Sequence, residues 1–190
     1  MNWQLFLSDV SKTLENNPPD LKSDTFSSEF FSPPISDNEI LKHEKRLNTV
    51  LPPSYREFLK TSNGFKQLNS FIWNIFPLDK VEWAQDFDEA FYMPHSMLPK
   101  SPSIPDEIYF IYGNEQDPIT IRNEYLPKTL AISDWGDAAI LLLNPQIKFG
   151  EEWEAWMYAT WLPGAFRYRS FEELMNDQYK KYLSLLSKEK

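Results

Sequence analysis

Leu51-Pro52-Pro53-Ser54-Tyr55-Arg56-Glu57-Phe58-Leu59, followed by Asn63-Gly64-Phe65, is the stretch whose reading decides the fold class. Proline suits the first turn of a helix, where its missing N–H would lack an intrahelical partner anyway, so the Pro52-Pro53 pair predicts a helix start. Tyr55, Phe58 and Leu59 then fall on one face. Asn63-Gly64 ends the element, since both residue types accept the left-handed backbone of a helix exit. Upstream, Ser36 and Glu39 spell a capping box, and Ile35 with Ile40 a hydrophobic staple. Together they predict a helix that buries Ile40 and Leu47. Further back, Trp3, Phe6, Leu7, Val10 and Leu14 form one apolar stripe, which predicts a helix within Met1–Asn17. Pro18–Pro34 reads as a connector holding Phe26, Phe30 and Phe31.

Downstream the pattern turns to strands. Phe71–Phe76, Ile108–Tyr112, Thr129–Ser133, Ala138–Leu143 and Trp153–Trp161 are rich in aromatic and β-branched residues. Asp134-Trp135-Gly136-Asp137 joins the third and fourth as a hairpin loop. Between the first two, Leu78, Val81, Ala84, Phe87 and Phe91 have helical spacing, predicting a helix with an acidic outer face. Ser170 and Glu173 spell a second capping box ahead of Phe171, Leu174, Met175, Gln178, Tyr182 and Leu185. Helices, then strands, then a closing helix predict an α+β fold. Its sheet is antiparallel or mixed, twisted, of about five to six strands, flanked by N-terminal helices and a C-terminal helix. Residues 1–34 are expected to be an N-terminal helix and connector packed on a domain of residues 35–190.

Composition narrows the function classes. The net charge is −9, and Asp79–Glu154 holds 15 of the 28 acidic residues but only 5 of the 19 basic ones. The negative excess is thus concentrated mid-chain, which disfavours nucleic acid and steers basic partners. Aromatic residues make up 16% of the chain, enough to supply both core and binding anchors. Without cysteine, disulfides, zinc–thiolate sites and thiol chemistry are excluded. Met1–Asn17 lacks a basic leader before an apolar run, and Ala138–Leu143, the longest apolar run, falls far short of the roughly 18 residues of a membrane span. The expectation is a cytoplasmic protein with no membrane partner.

The ordered set Ile35-Ser36…Ile40…Glu44…Leu47, Leu51-Pro52-Pro53-Ser54-Tyr55-Arg56-Glu57-Phe58-Leu59 and Asn63-Gly64-Phe65 resembles the opening of SUKH domains of the Smi/Knr type. Phe76-Pro77-Leu78-Asp79-Lys80-Val81, Ile132-Ser133-Asp134-Trp135-Gly136-Asp137 and Ser170-Phe171-Glu172-Glu173-Leu174 are similar to that family's later segments, in the same order. The resemblance spans roughly Ile35–Leu186; Trp135, where the family often has a small residue, departs from it. It implies an α+β fold, no enzymatic activity, and a cytoplasmic role as an immunity protein against a polymorphic toxin. The alternative it implies is a regulatory adaptor or scaffold of the cell-wall synthesis type. It transfers no partner-contact residue.

Catalytic and metal patterns are sparse. His43 reads as a surface or half-buried helix residue, and His95-Ser96, adjacent and between prolines, lacks the arrangement of a base and nucleophile. Asp86, Asp88 and Glu89 resemble the start of a calcium loop but lack the glycine and the later bidentate glutamate. No cofactor or metal is expected. Asp134 and Asp137 with Glu151, Glu152 and Glu154 supply carboxylate pairs, and Trp135, Trp153, Trp156 and Trp161 supply stacking rings, the remote pattern of a carbohydrate-binding protein or glycosidase. The expected partner surface is acidic: Asp79, Glu82, Asp86, Asp88 and Glu89, then Asp134, Trp135 and Asp137, then Glu151, Glu152 and Glu154, meeting the basic cleft of a nuclease-like toxin.

Overall fold

A computed structural model describes residues 1–17, 30–66, 74–87, 104–162 and 164–188. Helix α1 (Trp3–Asn16) buries the whole stripe of Trp3, Phe6, Leu7, Val10 and Leu14. Helix α2 (Asp37–Leu47) begins at a reciprocal Ser36–Glu39 capping box and ends at Asn48, whose φ is 52°. Helix α3 (Pro53–Leu59) lacks a cap from Pro52. The Glu152 carboxylate replaces it from the sheet, accepting from Ser54 N at 2.8 Å and Ser54 Oγ at 2.6 Å. A carboxylate at a helix start also meets the positive end of the macrodipole.

Strands β1 (Phe65–Lys66) and β2 (Asn74–Ile75) form a small antiparallel pair. The main sheet is antiparallel throughout, in the order β3 (Glu82–Trp83), β4 (Leu130–Ala131), β5 (Ala139–Phe149), β6 (Glu152–Ala159), β7 (Gly164–Tyr168). β5 and β6 carry a register shift between Asn144 and Lys148. Pro145 falls in that shift, where a missing N–H does not break the ladder. The chain closes with a helix, Phe171–Lys188. There Ser170 Oγ accepts from Glu173 N, while the Glu173 carboxylate reaches back to Arg169 N.

The sheet is covered on both faces. Leu141, Leu143, Ala155 and Met157 join α1, α2, α3 and the closing helix in one core. Their neighbours Ile140, Leu142, Trp156 and Tyr158 point the other way, against Ile121 and Leu126 from a layer without long elements. Coverage on both faces explains why β5 opens with an unbroken apolar run rather than an alternating one. Ring-to-ring packing ties the N-terminus in: Trp3 lies 5.3 Å from Phe58 and 5.4 Å from Phe171, centroid to centroid.

The Asn63-Gly64 pair has a tertiary job. Gly64 has φ +90°, and an added Cβ would fall on the Ile75 carbonyl oxygen and within 2.7 Å of the Phe76 carbonyl carbon. Asn63 Oδ1 accepts from Leu78 N at 2.8 Å. Arg46 Nη2 then donates to Leu78 O and Val81 O, both at 2.9 Å. The segment after β2 is therefore pinned from α2 and from the helix-exit turn.

Two sequence expectations are corrected. Leu78–Phe91 is not one helix: a 3-10 turn at Leu78–Lys80 precedes β3 and a short helix α4 (Ala84–Phe87), and residues 88–91 lie outside the described residues. Pairing of β3 with β4 and the Arg46 bonds to the Leu78 and Val81 carbonyls ahead of it override the helical spacing. Ile108–Tyr112 is not a strand. Pro105 starts a short helix α5 (Asp106–Tyr109), and Gly113–Glu115 is a 3-10 turn. The closing helix is thus α6. Strands β1, β3 and β7 are additions, and of the expected strand Phe71–Phe76 only residues 74–76 are described.

Candidate partner-binding surfaces

The eleven sequence-chosen residues do not form one patch. Asp79, Glu82 and Asp86 are exposed and share the β3 margin of the sheet, on the segment that Arg46 and Asn63 pin. Asp88 and Glu89, which follow them in the chain, lie outside the described residues, as does His95. Asp134, Trp135 and Asp137 lie at one end of β5, before Ala139. Glu151 lies at the other, on the turn that joins Phe149 to its partner Glu152. Eleven residues of strand separate those ends, roughly 35 Å at about 3.3 Å per residue.

Several of these side chains are already engaged. Asp134 accepts from the backbone N and the side-chain Nδ2 of Asn74, which fastens the hairpin loop to β2. Trp135 is half-buried, edge-on to Tyr158 with centroids 6.4 Å apart. Glu152 caps α3. Glu154 is fully buried, so its expected place on an acidic surface is corrected. In a sheet covered on both faces, the pattern of β6 does not distinguish an outward acid from an inward one. Trp153 and Trp156 are also buried, 2% and 0% exposed, and offer no sugar-stacking platform. The other two rings of that pattern, Trp135 and Trp161, stay at the surface, while its two groups of carboxylates lie at opposite ends of β5.

Glu154 instead centres a polar cluster on the face of the sheet opposite the helices. Its Oε2 accepts from Tyr109 OH at 2.7 Å, Asn144 Nδ2 at 2.8 Å and Trp156 Nε1 at 2.8 Å. Its Oε1 accepts from Tyr112 OH at 2.7 Å and faces Arg167 Nη1 at 3.6 Å. Arg167, on β7, is likewise buried. Its guanidinium donates to Tyr109 O and Ile111 O and lies over the Tyr109 ring, 4.2 Å from its centroid. Burial, reinforced by the Glu154 charge, pushes both tyrosine phenols far above their ordinary range, so both act as donors.

This cluster clamps the turn 104–112 from below. Arg122 clamps it from the side, donating to Ile104 O and to the Asp106 carboxylate while stacking over Tyr109 at 4.4 Å. The outward side of the same turn carries Ile108, Phe110 and Ile111, which are 47%, 40% and 38% exposed. Sequence reasoning missed these residues because their β-branched and aromatic character reads as a strand. The available signal was Pro105-Asp106-Glu107, a helix start with acids in its first turn.

Among the described residues, no group of three or more His, Asp or Glu side chains could hold a metal ion, and no helix is long and apolar enough to cross a membrane. No curated protein matches the chain. Residues 34–177 of the 190 match the model of the SMI1 / KNR4 family (SUKH-1), from just before the α2 capping box into α6, and the protein belongs to that family.

Proposed function

We propose that the protein is a non-catalytic, cytoplasmic immunity protein that neutralises a cognate polymorphic toxin by occupying a basic, nuclease-like domain. Family membership fits an immunity-type role. The observation that carries the reading further is the set Asp79, Glu82 and Asp86, exposed together on a firmly pinned edge within the acidic middle of the chain. A nuclease cleft holds phosphates with basic side chains, and a rigid acidic edge steers toward such a cleft and competes with substrate there.

The test is to take any toxin gene found beside the coding gene, co-express its product with this protein, and measure binding of that product's toxic domain to the purified chain. Protection and tight binding support the reading. Replacing Asp79, Glu82 and Asp86 with serine should lower the association rate roughly tenfold at low salt and little at high salt. No protection and no binding by the unaltered chain would refute the immunity role. An association rate indifferent to those three charges would refute the acidic edge.

A further inference from the structure

The geometry points to the turn Asp106–Tyr112 as the anchor of the partner interface, with Ile108, Phe110 and Ile111 inserting into an apolar centre ringed by lysine and arginine on a basic protein. This rests on the immunity reading and names the part of the surface that holds the complex together.

Three observations carry it. First, three of four consecutive residues present large apolar side chains to solvent. Scattered exposed apolar residues are ordinary, but a run on one turn is a concentrated apolar cost to the free protein. Second, the turn is held rigid from inside. Arg167 binds the carbonyls of Tyr109 and Ile111, Arg122 binds Ile104 O and Asp106, and Glu154 accepts from Tyr109 and Tyr112. Anchors already fixed in the free protein lose little freedom on binding. Third, the charge around them is mostly negative: Arg122 pairs with Asp106 and the exposed Arg169 lies over the Tyr112 ring, but exposed acids outnumber these cations. Residues 104–121 contain Asp106, Glu107, Glu115 and Asp117, all exposed, and no lysine or arginine. An apolar centre with an acidic rim is complementary to an apolar centre with a basic rim. Leu183 and Leu185, another exposed apolar pair, neighbour Lys180 and Lys181 and lack this rim.

The 190-residue chain carries the test, with the toxic domain of any toxin found encoded beside its gene as probe. Phe110→Ser, and separately Ile108→Ser with Ile111→Ser, should weaken binding roughly 30-fold or more. The change should lie in the dissociation rate, and thermal unfolding should fall only modestly, since each side chain is partly covered and the Phe110 ring packs edge-on to Tyr109 at 5.4 Å. Val50→Ser, at a position 69% exposed on the loop between α2 and α3, should bind as the unaltered chain does. Unchanged affinity in the turn variants, while the unaltered chain binds and protects, overturns the anchor and leaves the immunity role standing. Equal weakening by Val50→Ser overturns it as well. Failure of the unaltered chain to bind removes both.

Discussion

Glu154→Gln tests whether the buried ion pair holds the molecule together. The substitution keeps the shape and, with the amide oxygen in the Oε2 position, the bonds from Tyr109, Asn144 and Trp156. It places an amide NH2 where Oε1 faced Arg167 at 3.6 Å. Both side chains of the pair are 0% exposed, so the Arg167 charge is left buried without a counter-charge. Removing one partner of such a pair costs about 3–5 kcal/mol, and three retained bonds set the expectation at the low end, about 3 kcal/mol. Against a total stability of about 5–15 kcal/mol that is a large fraction. In urea unfolding followed by tryptophan fluorescence, an m-value of about 2 kcal/mol/M converts it to a midpoint lowered by about 1.5 M. The double variant Glu154→Leu with Arg167→Met removes both charges and should recover part of the loss relative to Glu154→Leu alone. A Glu154→Gln midpoint within about 0.25 M of the unaltered chain, about 0.5 kcal/mol, refutes the reasoning.

Three further outcomes follow from single features. Among the described residues the Tyr55 hydroxyl, buried among rings, has no hydrogen-bond partner, and its burial pushes the phenol far above its ordinary range. Tyr55→Phe should therefore leave the melting temperature unchanged or raised, and a loss above about 1 kcal/mol would show a hidden partner. Gly64→Ala places a Cβ onto the Ile75 carbonyl at φ +90° and should destabilise by about 2–4 kcal/mol in chemical denaturation; a neutral result would mean the β2 backbone moves away freely. His43 Nδ1 accepts from Arg46 Nε at 3.3 Å, which needs the neutral ring, and burial with the Arg46 and Lys42 charges lowers its pKa from 6.5. The folded state thus binds this proton less readily than the unfolded chain. The associated stability is full above about pH 6.5 and is lost as pH falls through the lower folded value. Melting temperature measured against pH should fall less steeply on acidification in His43→Gln, and identical slopes would sink the assignment.

The helical half of the fold was legible because its signals are local. The Trp3–Leu14 stripe, the Ser36–Glu39 box and the Pro52-Pro53 start each depend on residues within a few positions, and each forms as expected. The misread segments are those whose conformation is decided at a distance. Val81–Trp83 is extended because Arg46 and β4 take its backbone, although its apolar spacing is helical. Ile108–Tyr112 looks like a strand, but its carbonyls are held by Arg167 on β7. The same distance effect governs the candidate surface. The acidic edge at Asp79 and Glu82 could be named from charge, whereas the inward turn of Glu154 depends on Tyr109, Tyr112 and Arg167, all 13 to 45 positions away.

The outer margin of β7 is filled by the chain itself. Arg167 N donates to Gln116 Oε1 at 2.7 Å, Gln116 Nε2 returns a bond to Arg167 O at 3.2 Å, and Pro118 O takes the N–H of Ala165 at 2.8 Å. One amide side chain and one carbonyl thus imitate the strand that would otherwise come next. Gly164 lets that segment lie close, since a Cβ there would meet the Pro118 carbonyl. An open strand border is a template on which like molecules stack into fibrils or a foreign peptide zips in. Sealed in this way, the sheet cannot grow at that border, so a partner docking there would meet side chains and not a free backbone ladder.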